Sequence, residues 1–221
     1  MPTDRTASAP ATEGPDLRDY GNVAGNHYDK YQSSNPIARK LMAGFMGGFD
    51  ALVDRTNAPT AYEVGCGEGH LSMRLLSRGI DARGMDVEEE VVAEANESAR
   101  AAGHGERFTS GSVYDFSPGE IAADLIVCCE VLEHLPDPAR ALDILSKQQA
   151  RHWLFSVPRE PIWRVLNLAR GKYIGQLGNT PGHIQHWSSR SFRAFVSTRF
   201  EIVDMRKPLP WTMVLCRPKA R

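Results

Sequence analysis

The chain has 221 residues, a formal net charge of −1, 24% charged residues and four cysteines. That length fits one domain with at most a small appendage, and nothing in the balanced charge suggests a nucleic-acid-binding protein, a local basic patch being left open. No apolar run approaches a membrane-spanning length. Cys66, Cys128, Cys129 and Cys216 follow no metal-site spacing, so buried thiols in a reducing cytoplasm are expected.

Residues 1–19 are rich in Pro, Thr, Ala and Ser and lack an apolar signal core, which reads as a disordered tail. Residues 20–221 read as a single domain. Within it, 20–56 form a helical cap. Its first part is polar with scattered aromatics (Tyr20, His27, Tyr28, Tyr31). Asn35-Pro36 then starts a helix whose apolar face is Ile37, Leu41, Phe45, Phe49, Leu52 and Val53. From Thr60 onward strand and helix signals alternate. Strands are expected at 61–64, 80–86, 107–110, 123–129 and 151–157, with helices at 68–78, 88–102 and 137–150. Such alternation predicts a parallel sheet with helices on both faces. Residues 158–187 are an insert with a helix at 162–170 and a glycine-rich, mobile run at 171–182. It follows the carboxyl end of a strand, where open α/β sheets bind ligands, so it is expected to help form an acceptor pocket. A helix at 188–197 and strands at 200–206 and 211–216 close the chain.

The chemistry-bearing stretch is Ala61-Tyr62-Glu63-Val64-Gly65-Cys66-Gly67-Glu68-Gly69-His70. It reads as strand, glycine turn, helix, a nucleotide-type cradle in which backbone amides reach a ligand unobstructed. The glycines fall at Gly65, Gly67 and Gly69. A dinucleotide turn wants its third glycine where His70 stands, so a ligand without a pyrophosphate fits better. The next strand ends in an acid, Asp86, able to accept two ribose hydroxyls.

This Glu-x-Gly-x-Gly-x-Gly pattern with its following acid resembles the class I S-adenosylmethionine-dependent methyltransferases. The resemblance covers about residues 60 to 157 well and the rest loosely. It implies an α/β, Rossmann-like sheet of seven strands, the last antiparallel, with helices on both faces and an N-terminal helical cap. It implies that Glu63, Gly65, Cys66, Gly67, Gly69 and His70 lie about the methionine end of S-adenosyl-L-methionine, and that Asp86 and Val87 hold the ribose side. Ser112, Val113 and Tyr114 would line the adenine. Ser112 stands where many members carry an acid, so that contact is weaker. Tyr28 of the cap would close over the cofactor, or simply pack the cap, and Glu130 would border the site.

Methyl transfer to oxygen needs one proton removed, by a general base or by a metal that acidifies the hydroxyl. Glu130-Val131-Leu132-Glu133-His134 follows the fourth strand. It resembles the Glu-x-x-Glu-His motif of ubiquinone-biosynthesis O-methyltransferases and of small-RNA 2′-O-methyltransferases. That resemblance implies Mg²⁺ held by Glu130, Glu133, His134 and a distal histidine of a His-x-x-x-Trp segment, here His183 with His186 as the near alternative. Imidazole ligands suit Mn²⁺ or a transition ion better than Mg²⁺. Three readings stand side by side: metal ligands, His134 or His183 as direct base beside Glu133, and a purely structural motif. Trp163, Trp187 and Trp211 are read either as walls of the acceptor pocket or as packing.

The expected activity is S-adenosylmethionine-dependent O-methylation of a small molecule, a diol, catechol or sugar of a secondary metabolite such as an antibiotic. N-methylation without metal and RNA 2′-O-methylation are the rivals within the class. A non-catalytic cofactor binder and an NAD-dependent reductase are the rivals outside it. The protein is expected in the cytoplasm and off the membrane, with a homodimer left open.

Overall fold

The computed structural model of the protein describes residues 35–169, 171 and 173–219. The expected tail, the first part of the cap with Tyr28 and Tyr31, and Arg170 lie outside the described residues. The fold begins with helix α1 (Pro36–Val53), started where Asn35 Oδ1 accepts from the amides of Ile37 and Ala38 at 2.9 and 3.4 Å. Pro36 costs nothing at the first position, where the N–H would have no helical partner.

Strand β1 (Thr60–Val64), helix α2 (His70–Ser77), strand β2 (Asp81–Asp86), helix α3 (Glu89–Ala101) and strand β3 (Phe108–Ser110) follow in order. Strand β4 (Leu125–Cys129), helix α4 (Pro138–Ser146) and strand β5 (His152–Pro158) complete the parallel part. The insert supplies helix α5 (Ile162–Ala169), and helix α6 (Ser189–Val196) leads to β6 (Phe200–Arg206) and β7 (Trp211–Pro218). The seven strands run in the order β3-β2-β1-β4-β5-β7-β6, and β7 is antiparallel to both its neighbours. The sheet is therefore the one expected from the sequence.

The all-apolar run Leu125-Ile-Val-Cys-Cys129 reads as a strand covered on both faces. It is. Leu125, Val127 and Cys129 join the core that α1 and α2 cover, while Ile126 and Cys128 join the core under α4 and α6. Leu154 and Leu215 continue the first face; Trp153, Phe155, Val214 and Cys216 continue the second. All four cysteines are buried free thiols. Burial raises those of Cys66, Cys128, Cys129 and Cys216, which keeps them protonated and unreactive.

Two element boundaries differ from expectation for visible reasons. Helix α4 stops at Ser146 rather than 150, because Gln148 and Gln149 turn to hold the segment before β4. Gln148 Oε1 accepts from Ile121 N, and the Gln149 amide donates to Ile121 O. Helix α2 starts at His70, since Gly69 takes a left-handed φ of 81° and cannot be its first turn. No helix among the described residues is long and apolar enough to cross a membrane.

Candidate functional site

The order reversal of the sheet falls between β1 and β4, and ligands of open α/β sheets sit outside the carboxyl ends of strands at such a point. The glycine turn leaves β1 there. Gly65 N and Cys66 N both donate to Met85 O, at 2.8 and 2.9 Å, which pins the turn to β2. Gly67 N donates to Asp86 Oδ2 at 2.8 Å, and Asp86 Oδ1 accepts from Glu88 N at 3.2 Å. The acid expected to hold a ribose thus also fixes the turn. The three glycines adopt φ of 75°, 51° and 81°.

Glu63 is buried, and its Oε2 accepts from the amide and hydroxyl of Ser72 at 2.9 and 2.6 Å. It anchors the first turn of α2, a role that sequence reading did not assign and that Ser72 alone could have signalled. Burial pushes the Glu63 carboxyl up to about 8, with the Ser72 bonds acting against that. Cys66 is buried beneath the turn, whereas His70 Nε2 lies 2.7 Å from Glu68 Oε2 on the exposed rim. Val87 is 52% exposed directly after Asp86. Ser112 Oγ accepts from Tyr114 N at 3.3 Å, so Ser112 caps the 3-10 turn Val113–Asp115. Val113 is buried; Tyr114 O–H donates to Asp137 O at 3.1 Å, with the Arg140 guanidinium 5.1 Å from its ring.

Beyond β4 the chain forms a 3-10 turn, Leu132–His134. It lies directly against the glycine turn: a Cβ at Gly65 would stand 2.3 Å from Val131 Cγ2. Glu133, His134 and His183 each present a ligand atom, and these lie within 4.8 Å of one another. Glu133 is only 1% exposed, and the two imidazole centroids are 4.9 Å apart, edge to face. His134 Nδ1 is 3.0 Å from Gly182 O. A carbonyl only accepts, so Nδ1 carries the proton and Nε2 offers its lone pair. The insert is held on this turn by backbone: Ile184 N and Gln185 N both donate to Glu133 O at 3.0 Å.

Glu130 is outside that set of three. Its Oε1 accepts from Ser156 Oγ at 3.0 Å and its Oε2 from the Trp211 indole at 2.7 Å, with a left-handed backbone φ of 59°. Of the four expected ligands, Glu133, His134 and His183 lie together and Glu130 lies apart, its carboxylate taken up by Ser156 and by a tryptophan 81 positions away. His186 is also apart, with Nε2 at 2.8 Å from Asn179 Oδ1. Trp163 and Trp211 are buried against each other at 5.7 Å, and Trp211 meets Phe45 of α1 at 5.0 Å. Trp187 packs on Phe192 and Phe195 of α6. Trp163 also flanks His183, at 5.6 Å. Asn167 and Thr180, which sequence reading passed over, are buried beside it. The available signal was an Asn inside an otherwise apolar helix.

Residues 61–148 match the family described as methyltransferase domain. A ubiquinone biosynthesis O-methyltransferase of Methylococcus capsulatus is 39% identical over 82 residues, 36% of this chain and 34% of that protein. One from Pseudomonas paraeruginosa is 34% identical over 125 residues, 53% of each. The chain thus spans from a third to about half the length of these curated relatives. Magnesium protoporphyrin IX methyltransferase of Synechocystis, solved with bound S-adenosylhomocysteine, shares the fold at a TM-score of 0.65 and 20% identity, over 92% of this chain and 98% of that one. The matched span runs from β1 through the glycine turn and Asp86 to the end of α4, so residues 61–148 are a methyltransferase domain, and the chain as a whole has the fold of a methyltransferase solved with S-adenosylhomocysteine.

Proposed function

We propose that the protein methylates a hydroxyl oxygen of a small molecule, with S-adenosylmethionine as donor and a divalent cation held by Glu133, His134 and His183. The observation that carries this is the convergence of one buried carboxylate and two imidazoles beside the glycine turn. The donor set fits such an ion. Glu133 brings a carboxyl group into a buried position, and with Nδ1 on the Gly182 carbonyl the ring of His134 would coordinate through Nε2. One oxygen and two nitrogen donors favour Mn²⁺ or a transition ion over Mg²⁺. The ion would acidify the acceptor hydroxyl. Three protein ligands leave coordination positions for one hydroxyl or two adjacent ones, which favours diol and catechol acceptors.

The chain's own groups supply the rest. The Gly65–Gly69 turn, open at Gly67, and Asp86 bind and orient the methionine and ribose parts of the donor, and the exposed Val87 offers an apolar surface for the base. Buried Trp163, Trp211 and Phe45 keep water from the side of the cluster nearest α5. With Nδ1 on the Gly182 carbonyl, Nε2 is the atom of His134 that would take a proton, so a metal-free base mechanism uses the same geometry. The likeness to ubiquinone biosynthesis O-methyltransferases supports an oxygen acceptor. We place the enzyme in the cytoplasm.

The test is a Mn²⁺ titration of protein saturated with S-adenosylhomocysteine, followed by electron paramagnetic resonance. We expect the free-ion signal to disappear up to one equivalent, and Glu133→Ala to restore it. A free-ion signal that rises from the first addition removes the metal and leaves His134 as the base.

A further inference from the structure

His183 stands on a segment with little regular structure, a 3-10 turn at Ile174–Gln176 followed by turns. A ligand on such a segment is imprecise unless something ties it down. The tie is a buried polar knot against α5. Asn167 and Thr180 are 1% and 3% exposed. Asn167 Nδ2 donates to Gly178 O at 2.9 Å and to Thr180 Oγ1 at 3.2 Å. The Trp163 indole donates to the same Thr180 oxygen at 2.9 Å. His183 N donates to Thr180 O at 3.1 Å, and Asn179 Nδ2 to His183 O at 3.2 Å. Gly178 crosses α5 so closely that a Cβ there would meet Arg164 O at 2.4 Å.

We propose that Thr180, with its donors Asn167 and Trp163, positions the Glu133–His134–His183 cluster. One oxygen fixes two things at once. It sets the backbone that carries the His183 ring, and, two residues on, the Gly182 carbonyl that selects the His134 tautomer. The opposite edge of the segment is held by Ile184 and Gln185 on Glu133 O. The segment is then a fixed wall of the site. The three residues act on the site through the two imidazoles. Burying three polar side chains is costly unless each bond is made, so the network has one low-energy arrangement and transmits it to the cluster. The affinity arm of the test below rests on the proposed metal reading, and the spectroscopic arm does not.

Thr180→Val is nearly isosteric and removes the acceptor oxygen; Thr180→Ser keeps it. On the full chain saturated with S-adenosylhomocysteine, Thr180→Val should leave homocysteine-nucleoside affinity unchanged by calorimetry. It should weaken Mn²⁺ binding by about tenfold to a hundredfold, the usual effect of disturbing the partners of metal ligands, and Thr180→Ser should restore it. In metal-free protein, the ¹⁵N signals of His134 should move from the Nδ1–H tautomer toward exchange-averaged values, and those of His183 should shift, in Thr180→Val alone. Wild-type Mn²⁺ affinity with unmoved imidazole signals would overturn the proposal, as would a Thr180→Ser variant as impaired as Thr180→Val. If the wild-type protein takes up no Mn²⁺, the metal reading fails and the imidazole signals decide: moved signals uphold the tie and unmoved ones overturn it. Should Thr180→Val not bind S-adenosylhomocysteine, Trp163→Phe replaces it under the same outcomes, since it keeps a ring against His183 and removes only the indole N–H.

Discussion

Gly65, Gly67 and Gly69 share a left-handed backbone and differ in what lies beyond the absent side chain. At Gly65 a Cβ would strike Val131 at 2.3 Å, and at Gly69 it would press on the Phe108 ring at 3.0 Å. At Gly67 nothing stands within 4 Å. Gly65 and Gly69 therefore serve packing, and Gly67 keeps a surface open. Gly67→Val should cost the fold only the backbone term, on the order of 1–2 kcal/mol for a β-branched residue at positive φ, while abolishing S-adenosylhomocysteine binding by calorimetry. A variant that binds normally would put the donor elsewhere. Glu63 gives a pH prediction. Its folded pKa, about 8, lies above the ordinary 4.5. The folded protein thus retains a proton that the unfolded chain has released, and the contribution is full below the ordinary value and lost as pH rises through 8. At about 1.4 kcal/mol per pKa unit, the decline amounts to several kcal/mol. Glu63→Gln should flatten it, as read by urea denaturation from about pH 5 to 8. An unchanged slope would mean that Glu63 is ionised in its burial site. At this scale the sequence was informative where partners are near in the chain: Glu133 and His134 are adjacent. The capture of Glu130 by Trp211 left no local trace, because it depends on β5 and β7 lying side by side.

Helix α5 shows how an element can carry the right periodicity and the wrong face. Its apolar residues include Val165 and Leu168. The structure exposes both and buries Trp163 and Asn167, one turn apart. The hydrogen bonds of Asn167 and Trp163 to the following segment decide the rotation, and a pattern that counts only hydrophobicity cannot include them. Strand β4 was legible because all of its residues are covered, which leaves an unbroken apolar run, and β5 interrupts its own run only at the buried Ser156 after His152. The start of β7 joins three elements, since Trp211 meets Phe45 of α1, Trp163 of α5 and the Glu130 carboxylate. Trp211→Phe keeps the ring contacts and removes the N–H. A hydrogen bond to a charged group is worth about 1.5–3 kcal/mol, so the unfolding free energy from denaturant titration should fall by about that amount. A change within about 0.5 kcal/mol, the range of ordinary surface substitutions, would show that the indole bond adds nothing to the fold.

For the whole molecule, the strand order places everything chemical on one edge. The turn after β1, Asp86 at the end of β2, the segment after β3 and the Glu133–His134 turn after β4 all follow carboxyl ends of neighbouring parallel strands. A ligand spanning them touches the sheet's central strands at once. Its binding energy should therefore appear as stability of the whole domain rather than of one loop. For a ligand that binds only the folded state, the gain is RT ln(1 + [L]/Kd), about 2.7 kcal/mol at a hundredfold excess over Kd. The same edge lacks the third glycine of a dinucleotide turn, with His70 standing in its place. In a dinucleotide turn that glycine lets the helix pack close to its strand, so this turn departs from the dinucleotide geometry, and S-adenosylhomocysteine does not require it. Thermal unfolding should thus shift upward by several degrees with S-adenosylhomocysteine at a hundredfold excess, the shift being about 2–4 °C per kcal/mol at this size, and stay fixed with NAD at equal concentration. Equal shifts with both ligands would mean that the edge recognises only the adenosine they share, and that the glycine turn does not read the amino-acid end of the donor.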